Sequence, residues 1–143
     1  MSQQAPIEVA KAWMTAYNTK DWNALNDVSA PDVVYDEVGT QRVIRGIADY
    51  LAASKEWAGA FPDSKATFGD AHASGDTAVL EVTWRGTHTG PLQTPAGAVP
   101  ATHKTIEIRA CLVVTVADGR VRTARHYFDM VTMLTQLGIG AGV

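Results

Sequence analysis

The chain has 143 residues, the size of one ordinary domain, so a single domain over residues 1–143 is expected. Hydrophobic residues make up 46% and charged ones 19%, which allows a real core and excludes a disordered chain. Net charge is −3, and Lys and Arg are scattered with no basic run; a nucleic-acid partner, whose phosphates demand a concentrated positive patch, is not expected.

The opening Met1-Ser2-Gln3-Gln4-Ala5-Pro6 carries neither a basic nor an apolar leader region, and no apolar run is long enough to span a bilayer. The one cysteine, Cys111, lies in an apolar, strand-like run and reads as a small buried hydrophobe. A cytoplasmic protein with no membrane partner is the expectation.

Pro6 fits a first helical turn, after which Ile7, Ala10, Trp13, Met14 and Tyr17 fall on one helical face. Asp21 caps a second short helix over 22–28, and Ala30-Pro31-Asp32 breaks it. Val33-Val34-Tyr35 reads as a first strand ending before Gly39-Thr40. A third helix follows Gly46, with Ile47, Tyr50, Leu51, Trp57 and Phe61 at mostly helical spacing, and Pro62-Asp63-Ser64 ends it.

From there the period changes to that of strands. Residues 65–73 and 77–88 form two strands around Ser74-Gly75-Asp76, and 90–100 is a Gly/Pro-rich loop. A third strand over 103–117 turns at Asp118-Gly119, a strong hairpin signal, into a last strand over 121–131. The Gly138-Ile139-Gly140-Ala141-Gly142 tail has no helix after it, so it reads as a flexible terminus and not a dinucleotide loop. Helices first, then long hairpin-linked strands, argue an α+β fold with a strongly curved antiparallel sheet, wrapped by the N-terminal helices around an apolar cavity.

The last strand holds the first candidate for chemistry. Asp129 stands between Phe128 and Met130; facing the cavity, its carboxyl would be pushed up toward the range useful for proton transfer. Alternation sets Asp129 with Tyr127 and Arg125 on one face and His126 with Phe128 on the other. The competing reading makes Asp129 a cap for the following segment or the partner of a neighbouring arginine.

Trp84, Gly86 and His88 share a strand face. Gly86 lets the sheet bend or leaves room for a ligand, and His88 either contacts a substrate carbonyl or sits at a wetted strand end. Arg109, amid Ile106, Ile108, Ala110 and Leu112, needs a carboxylate such as Glu107, Glu81 or Asp129, and structural pairing is favoured over oxyanion binding. Tyr35, Tyr17, Trp13, Trp57, Phe61 and Met133 are candidate cavity walls. The four histidines show no metal-ligand spacing, so no metal is expected.

Several stretches carry a family resemblance: Asp21-Trp22-Asn23-Ala24-Leu25 before Ala30-Pro31-Asp32-Val33-Val34, Phe61-Pro62-Asp63, Arg85-Gly86-Thr87-His88-Thr89-Gly90-Pro91, Asp118-Gly119-Arg120-Val121, His126-Tyr127-Phe128-Asp129 and Gln136-Leu137-Gly138. Over nearly its whole length the chain resembles the SnoaL-like polyketide cyclase and ester cyclase family, which shares the nuclear transport factor 2 fold. The resemblance implies cofactor-free intramolecular aldol closure of a polycyclic or polyketide substrate. Asp129 would be the acid/base, His88 the donor to the reacting oxygen, and Trp84, Tyr35, Arg109, Trp57, Phe61, Tyr17 and Met133 the substrate site. It also implies a homodimer or homotetramer. Relatives hydroxylate polyketides with a partner reductase or open epoxides with an Asp-Arg-Asp set, of which Arg109 and Asp129 would be two members. A non-catalytic ligand-binding or dimerisation module is the alternative from another class.

Overall fold

The computed structural model describes residues 4–94 and 97–139. Of the opening at residues 1–6 and the tail at 138–142, residues 1–3 and 140–142 lie outside the described residues, while the Gly138 and Ile139 N–H groups donate to the Thr135 and Leu134 carbonyls at 3.0 and 2.9 Å.

Helix α1 (Gln4–Asn18) turns Ala10, Trp13, Met14 and Tyr17 into the core, as their spacing predicts. Helix α2 (Trp22–Val28) starts at Asp21, whose carboxylate accepts the Ala24 N–H at 3.0 Å. Strand β1 (Ser29–Glu37) begins earlier than the expected break at Ala30-Pro31-Asp32. The ladder is interrupted between Ser29 and Val34, so the missing N–H of exposed Pro31 costs no strand-pairing bond.

A 3-10 turn (Val38–Thr40) leads into β2 (Arg42–Arg45), a short edge strand absent from the sequence reading because it buries only Ile44. Helix α3 (Ile47–Ala60) follows, then β3 (Lys65–Ser74) and β4 (Thr77–Thr87). The expected loop after β4 contains a small hairpin, β5 (Leu92–Thr94) and β6 (Gly97–Val99). Strands β7 (Thr105–Ala117) and β8 (Arg120–Phe128) form the long hairpin at Asp118-Gly119.

The last expected strand ends three residues early, and helix α4 (Met130–Gln136) takes its place. Asp129 starts that helix: its carboxylate accepts the Val131 N–H at 3.0 Å and the Thr132 hydroxyl at 2.9 Å. No helix among the described residues is long and apolar enough to cross a membrane.

The sheet order is β2-β1-β8-β7-β4-β3, antiparallel except that β1 runs parallel to β8. Register shifts in β1/β8, β3/β4 and β7/β8 add local bend to the sheet. Its concave face is closed by α1 around Trp13, Leu25, Leu80, Leu112 and Val114. A second apolar cluster of Phe61, Ile106, Ile108, Met133 and Leu137 forms where α4 folds back onto β7.

Candidate active site

Between the concave face and helices α1 and α3 the packing leaves a cavity of about 460 Å³. Aromatic side chains dominate its walls: Trp13, Tyr17, Tyr35, Tyr50, Trp57 and Trp84. Its exposed rim carries Thr40, Arg42, Glu56 and Gln93, and the β5 hairpin strand contributes Leu92 and Thr94. Such a volume, apolar with a few convergent polar groups, suits a drug-sized organic ligand.

Strand alternation determines which polar groups reach it. On β8, Ala124 and His126 are buried and Phe128 lines the cavity, while Arg125, Tyr127 and, just past the strand, Asp129 are exposed. On β1 the same alternation carries Val33, Tyr35 and then Glu37 inward. The parallel register sets Glu37 opposite His126 and Tyr35 opposite Ala124. Trp84 reaches the same place from β4.

Four side chains thereby form one hydrogen-bonded row. Trp84 Nε1 donates to His126 Nε2 at 3.1 Å, His126 Nδ1 lies 2.7 Å from the Tyr35 hydroxyl, and that hydroxyl donates to Glu37 Oε2 at 3.1 Å. The other carboxylate oxygen of Glu37 accepts the Thr40 hydroxyl at 2.6 Å and Arg42 Nη2 at 3.3 Å. A carboxylate has about four acceptor positions, so one remains for a substrate. Gly39 lets this segment approach β8: a Cβ there would stand 2.8 Å from the Phe128 ring.

Burial governs the titration of these groups. It lowers His126 to about 4, so the imidazole is neutral near pH 7. It also raises Tyr35 well above the ordinary phenol value, with the Glu37 charge adding to the effect. Tyr17 is pushed up to about 12 and Tyr50 higher still, both by burial, so all three phenols keep their protons.

The structure corrects several of the expected site residues. Asp129 is exposed and outside the cavity, and its bonds to Thr132 and the Val131 N–H lower its pKa instead of raising it. The helix-capping reading of that residue is the one that holds. Arg109 is exposed on the outer face of β7 and needs no carboxylate; it is absent from the cavity wall.

His88 is fully buried, which contradicts both the substrate contact and the wetted strand end. Its ring stacks on Phe61 at 5.2 Å, its Nδ1 accepts the Thr102 N–H at 3.1 Å, and burial lowers its pKa. Phe61 is likewise sealed in the core behind Trp57, off the cavity wall. Gly86 leaves no space for a ligand, because a Cβ there would come within 3.2 Å of Ser64.

Tyr35, Tyr17, Trp57, Trp84 and Met133 do line the cavity. Glu37, Thr40, Arg42, Tyr50, Ser54 and His126 also line the cavity, and none of them is among the site residues expected from the sequence. The signal for His126 was present in the alternation that placed it opposite Asp129. Among the described residues no group of three or more His, Cys, Asp or Glu side chains could hold a metal ion.

Comparison with known proteins adds the evolutionary context. The family model described as SnoaL-like polyketide cyclase matches residues 7–137. IdmH of Streptomyces antibioticus, a candidate polyketide cyclase, is 29% identical with a TM-score of 0.79, covering 94% of this chain and 99% of its own. AclR of Streptomyces galilaeus, a candidate hydroxylase, is 21% identical with a TM-score of 0.79, covering 96% and 83%. An LEH-like epoxide hydrolase of M. tuberculosis is 21% identical with a TM-score of 0.74, covering 94% and 90%. The last two share the fold. No curated protein matches the sequence.

Proposed function

Because this chain belongs to the SnoaL-like polyketide cyclase family, we propose that it closes a ring in a flat, hydrophobic polyketide-type substrate by intramolecular aldol chemistry, with Glu37 as the acid/base. The observation that carries this reading is the carboxylate of Glu37 on the wall of a largely apolar, aromatic-rich cavity, held by Tyr35, Thr40 and Arg42 and less exposed than the rim carboxylate of Glu56. The role moves from Asp129, which lies outside the cavity.

In this reading Glu37 takes a proton from a carbon beside a substrate carbonyl, and the C–H electron pair becomes an enolate. The enolate carbon bonds to a second carbonyl carbon of the same molecule, whose π pair moves onto its oxygen. That oxygen recovers the proton from Glu37, so base and mass are both restored. Tyr50, a neutral phenol on the cavity wall whose oxygen is bonded by Ser54, would donate to the oxygen that gains charge. The aromatic walls hold the flat chain folded, with its reacting carbons close together.

Epoxide opening by an Asp-Arg-Asp set has no support here, since Arg109 and Asp129 both face away from the cavity. The test is a mass-resolved turnover assay on a panel of polyketide esters, with Glu37→Gln beside the parent. A cyclised product of unchanged mass, lost about 10²–10⁴-fold in Glu37→Gln, supports the reading. Undiminished turnover in that variant removes Glu37 from the chemistry. Binding without turnover in the parent favours a ligand-binding module.

A further inference from the structure

We propose that Trp84 is a positioning residue: its indole N–H fixes His126 in the tautomer protonated at Nδ1, and so orients the row of hydrogen bonds that ends on Glu37. The inference rests on the reading of Glu37 as the acid/base for its consequence in catalysis, though not for the tautomer itself.

The argument is one of donor and acceptor inventory. An indole nitrogen can only donate, so the His126 nitrogen facing it must offer a lone pair. That nitrogen is Nε2, 3.1 Å from Trp84 Nε1. A neutral imidazole carries one proton, which is left to Nδ1. At 2.7 Å from Nδ1 the Tyr35 oxygen is therefore an acceptor from His126, and its own proton is free to go elsewhere. It goes to Glu37 Oε2, a carboxylate oxygen that can only accept. Every bond in the row points toward Glu37; neither end can reverse, the indole because it only donates and the carboxylate because it only accepts, and Trp84 is the end that faces His126 directly.

Reversal would matter. With the proton on Nε2, His126 Nδ1 would compete with Glu37 for the single Tyr35 proton. The carboxylate would lose a donor for part of the time, and its oxygen would lose its fixed position. Trp84 thus acts at a distance, through His126 and Tyr35, without needing to touch the reacting atoms.

Nitrogen-15 NMR of the imidazole reads the tautomer directly, without substrate. The parent should show His126 with a protonated Nδ1 and a bare Nε2. Trp84→Phe should add a clear population protonated at Nε2. Tyr35→Phe should keep the parental tautomer, because the indole still faces Nε2 although the Nδ1 partner is gone. A parent protonated at Nε2, an unchanged tautomer in folded Trp84→Phe, or a switched one in Tyr35→Phe would each overturn the proposal. Tyr35→Phe keeps it testable if Trp84→Phe does not fold. Turnover of Trp84→Phe should fall tenfold or more. Intact turnover of Glu37→Gln would instead remove the acid/base reading and leave the tautomer result standing on its own.

Discussion

Tyr35 and His126, 91 residues apart in the chain, meet at 2.7 Å between the phenol oxygen and Nδ1. The contact joins the strand that carries Glu37 to the neighbouring strand that ends beside Asp129. It exists because β1 runs parallel to β8 with Glu37 opposite His126, so the two inward faces stay in step across the pair.

Tyr35→Phe removes this oxygen and little else. His126 Nδ1–H is then buried without a partner, and Glu37 loses one of its three donors. The expected stability loss is about 1–3 kcal/mol, the cost of a stranded buried donor. Urea titration measures that loss, and turnover should fall at least tenfold in the same protein. A variant as stable and as active as the parent would mean the row is incidental.

Stability should also fall in acid through His126. Its folded pKa of about 4 lies below the unfolded value of 6.5, so between those values the unfolded chain binds the extra proton. The protective effect is complete above pH 6.5 and fades as pH drops toward 4. At about 1.4 kcal/mol per pH unit, a shift of that size is worth about 3 kcal/mol. His88, also lowered by burial, adds in the same direction. Urea midpoints from pH 7 to pH 4 check this, and His126→Gln should show a shallower slope. An equal slope in the two proteins assigns the acid sensitivity to other groups.

His88 has a structural task. Its backbone N–H donates to the Lys104 carbonyl and its own carbonyl accepts the His103 N–H. Its ring meets Thr102, so the residue clasps the far end of the segment that carries Leu92, Gln93 and Thr94 to the cavity. His88→Ala should cost about 2–4 kcal/mol, as deletion of a large buried side chain does. It should raise KM more than it lowers kcat. A collapse of kcat at unchanged KM and stability would return His88 to the chemistry.

Much of the fold was legible in the sequence because its signals are local and periodic. The face of α1, the Asp21 cap and the Asp118-Gly119 turn each lie within a few residues and need no partner to be read. β2 and the β5–β6 hairpin were missed because short, exposed strands have almost no apolar alternation. The site was harder. Trp84, Tyr35 and Tyr17 were found as large aromatics on inward faces, but Glu37 looks like any surface carboxylate until β1 and β8 are paired. Asp129 misled for a related reason: apolar neighbours in sequence on a strand lie on the opposite face, so they say little about what surrounds the residue between them. The same alternation that turns Asp129 outward with Arg125 and Tyr127 turns His126 inward, making it the polar residue of this strand that reaches the site.

Asp129 separates the two accounts of this protein most cleanly. As the N-cap of α4 its carboxylate bonds the Val131 N–H and the Thr132 hydroxyl, leaving no role in the cavity. Asn is as good a helix cap as Asp, whereas Ala is not. Asp129→Asn should therefore keep both melting midpoint and turnover close to the parent. Asp129→Ala should lower the midpoint and leave kcat within a small factor, because Met130, Met133 and Leu134 on α4 still close the cavity wall. Thermal melts and single-turnover rates on the two variants decide it. A folded Asp129→Asn that is slowed a hundredfold would put the proton transfer back on Asp129 and require α4 to open before reaction.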